Sequence, residues 1–510
     1  MQKYRSSLPF AAFLVIVICV SLFSCAKKQD RAERLAEKFE RRDKLSKQYC
    51  GTCHLPVDPG LLDKETWRNR VLPAMARQLG LEVWQGKTYY QNERSAISHA
   101  DWTEIVAYYD SLAPNQLPEP AKTISPANDW FTFSLQKPVD NSSEFATTTF
   151  VGAENAGGFI YSGDAERSGL SQWNRGLNSF VRTQLPSPAI HMLFNNDKNP
   201  MVTCIGEMKA VDAALGNVIQ LGKGGNPAMP IGPNFNRPIH TSQGDLNKDN
   251  LTDFVVSAFG HNRGGLYILM QKKDGKFSSM PIREVAGATQ SIIEDLNLDG
   301  WPDIVALFAH GDEGIWVFLN DQKGGFAARN VLRFPPVYGS SSFQLQDMNG
   351  DGRKDIIYTA GDNSDYSRIL KPYHGLYIFT AESDLHFRQT YFYPINGCTR
   401  AMAADFDQDG DLDIATIAFF ADLKNKPFEK FLLFEQTETN SPPKLVPHAI
   451  PVQNLGRWIC MDVSDYDGDG DEDILLGNYS KGFLNQENIK PDWNEKLPFI
   501  VLENGEMCKK

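Results

Sequence analysis

Apolar positions along this chain follow three patterns. From Phe10 to Phe23 they form an unbroken run of about 14 residues behind Lys3 and Arg5, too short for a comfortable membrane span and matching a signal-peptide core. Between residues 30 and 114 the spacing is helical. The segment Asp30 to Tyr49 has strong helix formers, mixed charge and no Gly or Pro, and Trp67, Val71, Met75 and Leu79 recur every four residues. HADWTEIVAYYDSLAP closes this part near Pro114, and LPEPAKTISP reads as a Pro-rich linker. Beyond residue 130 the pattern changes to short β-branched runs such as DFVV, DIVA and DILL, which predict strands.

Composition narrows the class. The 510 residues correspond to about three domains or to one large repeat architecture beside something small, and 40 Gly, 29 Pro and 42% apolar side chains exclude a disordered or collagen-like chain. A formal charge of −12 argues against a nucleic-acid partner. Acidic clusters point to cations instead.

The strand-like runs belong to one repeated unit. DLNKDNLTD starts at Asp245, DLNLDGWPD at Asp295, DMNGDGRKD at Asp347, DFDQDGDLD at Asp405 and DYDGDGDED at Asp465, in steps of 50, 52, 58 and 60 residues. Oxygens at loop positions 1, 3, 5 and 9, with a backbone carbonyl at 7 and a sharp bend at 6, suit one hard cation. The candidate calcium ligands are Asp245, Asn247, Asp249 and Asp253; Asp295, Asn297, Asp299 and Asp303; Asp347, Asn349, Asp351 and Asp355; Asp405, Asp407, Asp409 and Asp413; and Asp465, Asp467, Asp469 and Asp473. Asn250 stands where the other four loops have Gly, and tolerates the same left-handed backbone. Upstream, FNNDKNPMVTCIG aligns with the strand end of the motif but has His191 in place of its first Asp, and one more period back falls near residue 137. Those two degenerate units bring the count to seven.

Such repeats resemble the FG-GAP or VCBS family. The resemblance implies a mainly β fold, a seven-bladed propeller over residues 130–510. It also implies that the calcium loops lie at one end, with the loops before each first strand and after each second strand at the other. The candidate ligand face so defined holds Arg237, His240, His261, His310, Asp312, Glu313, Asp362, Asp365, Tyr373, His374, Arg400 and Arg457. Mixed charge, imidazoles and aromatics suit a polar small molecule such as a sugar or an organic acid. A solvated face with internal ion pairs is the competing reading.

Cys50-Gly51-Thr52-Cys53-His54 is a CxxCH signature, in which two thiols bond the haem vinyl groups and the histidine supplies an axial imidazole. Met75 is the candidate sixth ligand, with His99 as its rival. Residues 49–114 resemble a small all-α class I cytochrome c domain, which implies one covalent haem c. LFSC, ending at Cys25, resembles a bacterial lipobox, so residues 1–24 read as a lipoprotein signal peptide, Cys25 as the lipidated residue and 25–48 as tether and helix, with an ordinary cleaved signal or an uncleaved anchor as the alternatives. Cys204, Cys398, Cys460 and Cys508 allow three disulfide pairings or remain free thiols.

These features together predict an exported, lipid-anchored c-type cytochrome of the outer membrane, facing the periplasm or the cell surface. A calcium-stabilised propeller after a linker at 115–129 would bind a ligand or a redox protein partner. Two alternatives compete: an oxidoreductase whose propeller mouth passes electrons to haem, and an adhesion or carbohydrate-binding module. No catalytic motif such as HExxH, GxSxG or a Walker loop is present, so no reaction is named and an electron carrier is favoured over a self-contained enzyme.

Overall fold

The computed structural model describes residues 33–127, 133–139, 144–154, 158–195, 198–222, 227–364, 366–383, 385–482, 486 and 488–505. Cys25, Asp365 and Cys508 lie outside them. The chain divides into two units, residues 1–116 and 117–510.

The first unit holds helices α1 (33–50), α2 (64–78) and α3 (His99–Leu112), with a hairpin of β1 (Glu82–Trp84) and β2 (Thr88–Tyr90). That hairpin corrects the all-α expectation. Helix starts follow capping chemistry: the Asp63 carboxylate accepts from the Thr66 amide at 2.9 Å, and Ser98 Oγ accepts from the Asp101 amide at 3.0 Å. The apolar seam predicted on α2 is real for Trp67 and Val71, which are buried, whereas Met75 is half-buried. Trp67 packs against Tyr109 of α3 with ring centroids 4.2 Å apart, and its indole donates to the Pro59 carbonyl.

The second unit is a ring of antiparallel blades, seven among the described residues. Blade one runs β4 (Thr148–Ala153), β5 (Ile160–Asp164), β6 (Gly169–Trp173) and β7 (Ser179–Gln184). Blade two has β8 (Ala189–Asn195), β9 (Lys198–Cys204), β10 (Ala214–Leu221) and β11 (Pro227–Pro230), with β12 (Phe235–Asn236) also on β10. Blade three is β13 (Pro238–Gly244), β14 (Asp253–Ala258), β15 (Gly265–Gln271) and β16 (Phe277–Arg283). Blade four is β17 (Ala288–Glu294), β18 (Asp303–Phe308), β19 (Gly314–Asn320) and β20 (Phe326–Arg333). Blade five is β21 (Ser340–Gln346), β22 (Asp355–Ala360), β23 (Gly375–Ser383) and β24 (His386–Pro394). Blade six is β25 (Cys398–Ala404), β26 (Asp413–Ala418), β27 (Phe431–Glu438) and β28 (Lys444–His448).

Blade seven joins the two ends of the unit. Its β29 (Trp458–Ser464), β30 (Asp473–Asn478) and β31 (Phe499–Glu503) are completed by β3 (Ser134–Gln136), with Leu135 opposite Leu502. The degenerate unit expected near residue 137 is therefore the closing strand of the last blade, and blade one begins at Thr148. Closure hides an edge that an open sheet would expose.

Burial explains the sequence pattern. Every residue of β14, β18, β22, β26 and β30 is buried, because neighbouring blades cover both faces, so these strands read as continuous apolar runs. First strands such as β13, β17 and β25 are only partly buried and carry small or polar side chains. They line the axis and join consecutive blades: Thr241 bonds Thr203 of the second strand β9 at 2.7 Å, Ser242 bonds Ser291 at 2.8 Å, and the Ala403 amide donates to Gln344 at 2.8 Å. The linker is not a free tether throughout. Ala127 bridges to His448, and Tyr393 donates to the Ile124 carbonyl at 2.9 Å.

Candidate functional sites

The five acidic loops join first and second strands, at residues 245–253, 295–303, 347–355, 405–413 and 465–473. Their hydrogen bonds repeat closely. In each, the position-5 amide donates to Oδ1 of the position-1 Asp at 3.1 Å. Position 6 has a left-handed backbone, with φ +63° at Asn250, +85° at Gly300 and Gly352, +100° at Gly410 and +98° at Gly470, so Asn250 replaces glycine without altering the bend.

The position-9 aspartates do more than face a cation. All five are fully buried. Each accepts one amide from loop position 2 and a second from the end of the third strand: Asp413 takes Phe406 at 3.1 Å and Gln436 at 2.9 Å, and Asp473 takes Tyr466 at 3.0 Å and Asn504 at 2.8 Å. The carboxylate ties loop to blade by itself. Burial, aided by neighbouring aspartates and resisted by the amide bonds, pushes Asp413 and Asp473 up to about 8 and Asp355 to about 6.

Concentrated, buried negative charge of this kind fits a hard cation. Ligand oxygens of Asp405, Asp407 and Asp409, and of Asp465, Asp467 and Asp473, come within 4.8 Å of one another. The last two loops also carry Asp411 and Asp471 at position 7, each with a buried Oδ1 that has no hydrogen-bond partner. The sequence reading gave position 7 only a backbone carbonyl, and the aspartates there were visible in DFDQDGDLD and DYDGDGDED.

In the first unit, Cys50 ends α1 and Cys53 follows one turn later; both are free thiols. A Cβ on Gly51 would meet the Lys47 carbonyl oxygen at 2.4 Å, so the tight exit from the helix requires glycine. Burial raises the Cys50 thiol, which lies 4.0 Å from Ser46 Oγ, and Ser46 in turn bonds Tyr109 at 3.2 Å. His54 Nδ1 is 2.7 Å from the Leu55 carbonyl. A carbonyl only accepts, so Nδ1 carries the proton and Nε2 the lone pair, as a metal-ligating imidazole would need. These residues fit a covalently attached haem. Of the two candidate sixth ligands, Met75 is half-buried on α2 and His99 is exposed at the start of α3.

The predicted ligand face divides. Glu313, His374 and Arg457 are buried in the wall and do not form an open face. Arg457 donates to the Phe419 and Gly482 carbonyls and stacks over Phe419 at 3.7 Å, a packing role. Glu313 accepts from the Ser340 amide at 2.5 Å and burial pushes it up to about 8. Tyr373 stacks on Tyr338 at 4.8 Å. Arg237 donates to the Gly260 carbonyl, Asp312 takes Arg283 and Arg333, and Asp362 accepts from the Ser364 amide. His261 and His310 stand 6.1 Å apart at the end opposite the acidic loops. His240 and Arg400 instead sit on the inner strands β13 and β25, on the axis.

Residues 295–358 match the FG-GAP-like repeat. Human integrin alpha-7 is 25% identical over 248 residues, 44% of this chain and 20% of that protein. A T-cell immunomodulatory protein homolog of Plasmodium yoelii yoelii is 25% identical over 276 residues, 46% of this chain and 36% of that protein. The chain thus spans about a fifth to a third of the length of these relatives. A crystal structure of a Lactobacillus plantarum protein aligns with 61% of this chain and 87% of its own, at a TM-score of 0.40 and 13% identity.

Proposed function

We propose that the protein is a lipid-anchored c-type cytochrome whose calcium-pinned propeller binds a ligand or redox partner. The observation that carries the electron-transfer part is the His54 tautomer beside two unpaired thiols. The likeness to integrin alpha-7 supports a binding role for the propeller in general terms. Bound haem supplies one-electron chemistry. Cys50 and Cys53 would hold it, with His54 Nε2 and Met75 as the proposed iron ligands. LFSC at Cys25 supports the anchor.

The test is spectroscopic. Purified protein from a host that matures c-type cytochromes is expected to keep its haem through acid–acetone extraction, and Cys53→Ser to lose most of it. Normal covalent haem in a Cys50/Cys53 double variant defeats the assignment. Reduction of the haem is expected only with a separate reductase present. If the isolated protein reduces its own haem with a small substrate, and His310→Ala abolishes this, the propeller is an enzyme.

A further inference from the structure

The inner strands bring together residues that lie far apart around the ring. His191 comes from β8 of blade two and His240 from β13 of blade three, with ring centroids 4.1 Å apart. Arg400 comes from β25 of blade six, and Asp462 from β29 of blade seven. Blade six is three blades or more from blades two and three in either direction, so the Arg400 charge, which acts on both imidazoles, reaches them across the ring. Each keeps some surface open to water, as residues lining a narrow channel do.

The electrostatics are incomplete. Arg400 Nε finds no acceptor among the described residues, and neither does His191 Nδ1 find a partner. Asp462 spends one oxygen on the Ala153 amide at 3.0 Å and the Ser464 hydroxyl at 3.3 Å. Burial, with Arg400 adding to it, holds the His191 imidazole down at about 3, and burial, His191 and Arg400 hold His240 well below its usual range, so both rings are neutral at pH 7. His240 Nδ1 accepts from the Ser291 amide at 3.5 Å, which leaves its proton on Nε2. The channel therefore offers a guanidinium and a neutral imidazole donor. An enclosed guanidinium lacking its full set of acceptors is costly, and an anion that supplies them removes the cost.

A metal does not suit this cluster. Among the described residues, the ligating atoms of His191, His240, Cys460 and Asp462 do not gather within 4.8 Å as those of the loops at 405–413 and 465–473 do, and the Arg400 charge opposes a cation. The planar fork of arginine matches a carboxylate, and a single guanidinium beside the Asp462 carboxyl, which burial pushes up, balances a monoanion rather than a dianion.

We propose that the axial channel is a binding site for a monoanionic carboxylate, held by Arg400 with His191 and His240 beside it. The proposal rests on reading the propeller as a ligand-binding module, and names the chemistry of the ligand. Titration calorimetry on the full calcium-loaded chain tests it, with formate, acetate, glucuronate and inorganic phosphate as probes at constant ionic strength. Saturable binding of formate or acetate is expected, with phosphate at least tenfold weaker. Arg400→Gln should lower the affinity at least tenfold, and His240→Asn several-fold. Glucuronate separates the sources: if it binds too, the carboxylate belongs to a sugar-acid ligand, and if only formate and acetate bind, a free small anion is held.

Absence of saturation with every carboxylate in the unaltered protein overturns the proposal, as does binding unchanged by Arg400→Gln or phosphate as tight as acetate. The unaltered-protein titration decides the matter even if the Arg400 variant fails to fold, and Arg400→Lys, which keeps the charge but not the fork, should bind at reduced affinity. Retention of a partner at the propeller mouth in Arg400→Gln would leave the general binding role standing while this site fell.

Discussion

Blades three to seven and blades one and two reach the same four-stranded sheet by different means. In the later five, a nine-residue acidic loop fixes the turn from first to second strand, and its last aspartate grips the third strand through a backbone amide. In blade one the corresponding connection is residues 154–159, and in blade two β8 and β9 are separated only by residues 196–197, outside the described positions. The comparison shows that blade geometry does not need the loop. On the proposed calcium reading, what the loop would add is a coupling, from buried carboxylates to a cation, between the stability of five blades and the metal content of the medium.

The largest expected effect comes from removing the metal. Aspartates clustered without a cation repel one another, so EGTA should lower the melting temperature strongly and calcium should restore it. Hydrogen exchange should rise most at 245–253, 295–303, 347–355, 405–413 and 465–473, and least at Thr148–Trp173 of blade one. Equal exposure of both groups, or an unchanged melt, breaks the distinction.

Asp413→Ala follows. It strands the Phe406 and Gln436 amides in the interior and removes a proposed calcium ligand, for a loss of about 3 kcal/mol measured by denaturant unfolding in calcium. A matching change at Asp164 in blade one, which is partly exposed and bonds Thr147 and the Arg167 amide, should cost clearly less.

A pH scan in EGTA gives the next effect. Because the folded-state values of Asp355, Asp413 and Asp473 are raised above the ordinary carboxylate value, the folded state holds more protons than the unfolded one. Their contribution is full below the unfolded value and is lost as pH rises through about 6 to 8. Calcium-free protein should melt higher at pH 5 than at pH 8.5, and saturating calcium should flatten or reverse the trend. A melt in EGTA that rises with pH contradicts it.

Gly410→Ala comes next. Nothing lies within 4 Å of the added Cβ, so only the φ of +100° is strained, at a cost of about 1 kcal/mol. Asn250→Gly at the equivalent place should be close to neutral, since Asn250 already holds φ +63°.

Much of this molecule was legible because its chemistry is local. The DxDxDG spacing fixes loop geometry over nine residues, and CGTCH places two thiols and an imidazole within one turn, so both could be read without knowing what packs around them. The buried second strands were equally plain, since cover on both faces demands unbroken apolar runs. Less visible was the fate of the predicted ligand face: Glu313, His374 and Arg457 carry the polar chemistry of a mouth, yet tertiary packing buries them. Polarity alone does not say which side of a wall a residue faces.

Two outcomes belonged to the tertiary structure alone. Three residues at Ser134–Gln136 close the ring against Phe499–Glu503, a pairing across the length of the propeller that no repeat spacing encodes. His191, His240, Arg400 and Asp462 come from four different blades and acquire a shared environment only once the ring shuts. His191 drew notice in the sequence as a missing aspartate, because a one-dimensional repeat compares equivalent positions in successive blades. Proximity across an axis depends on how many blades there are and how they close, and that is settled by packing between sheets rather than by any local run of residues.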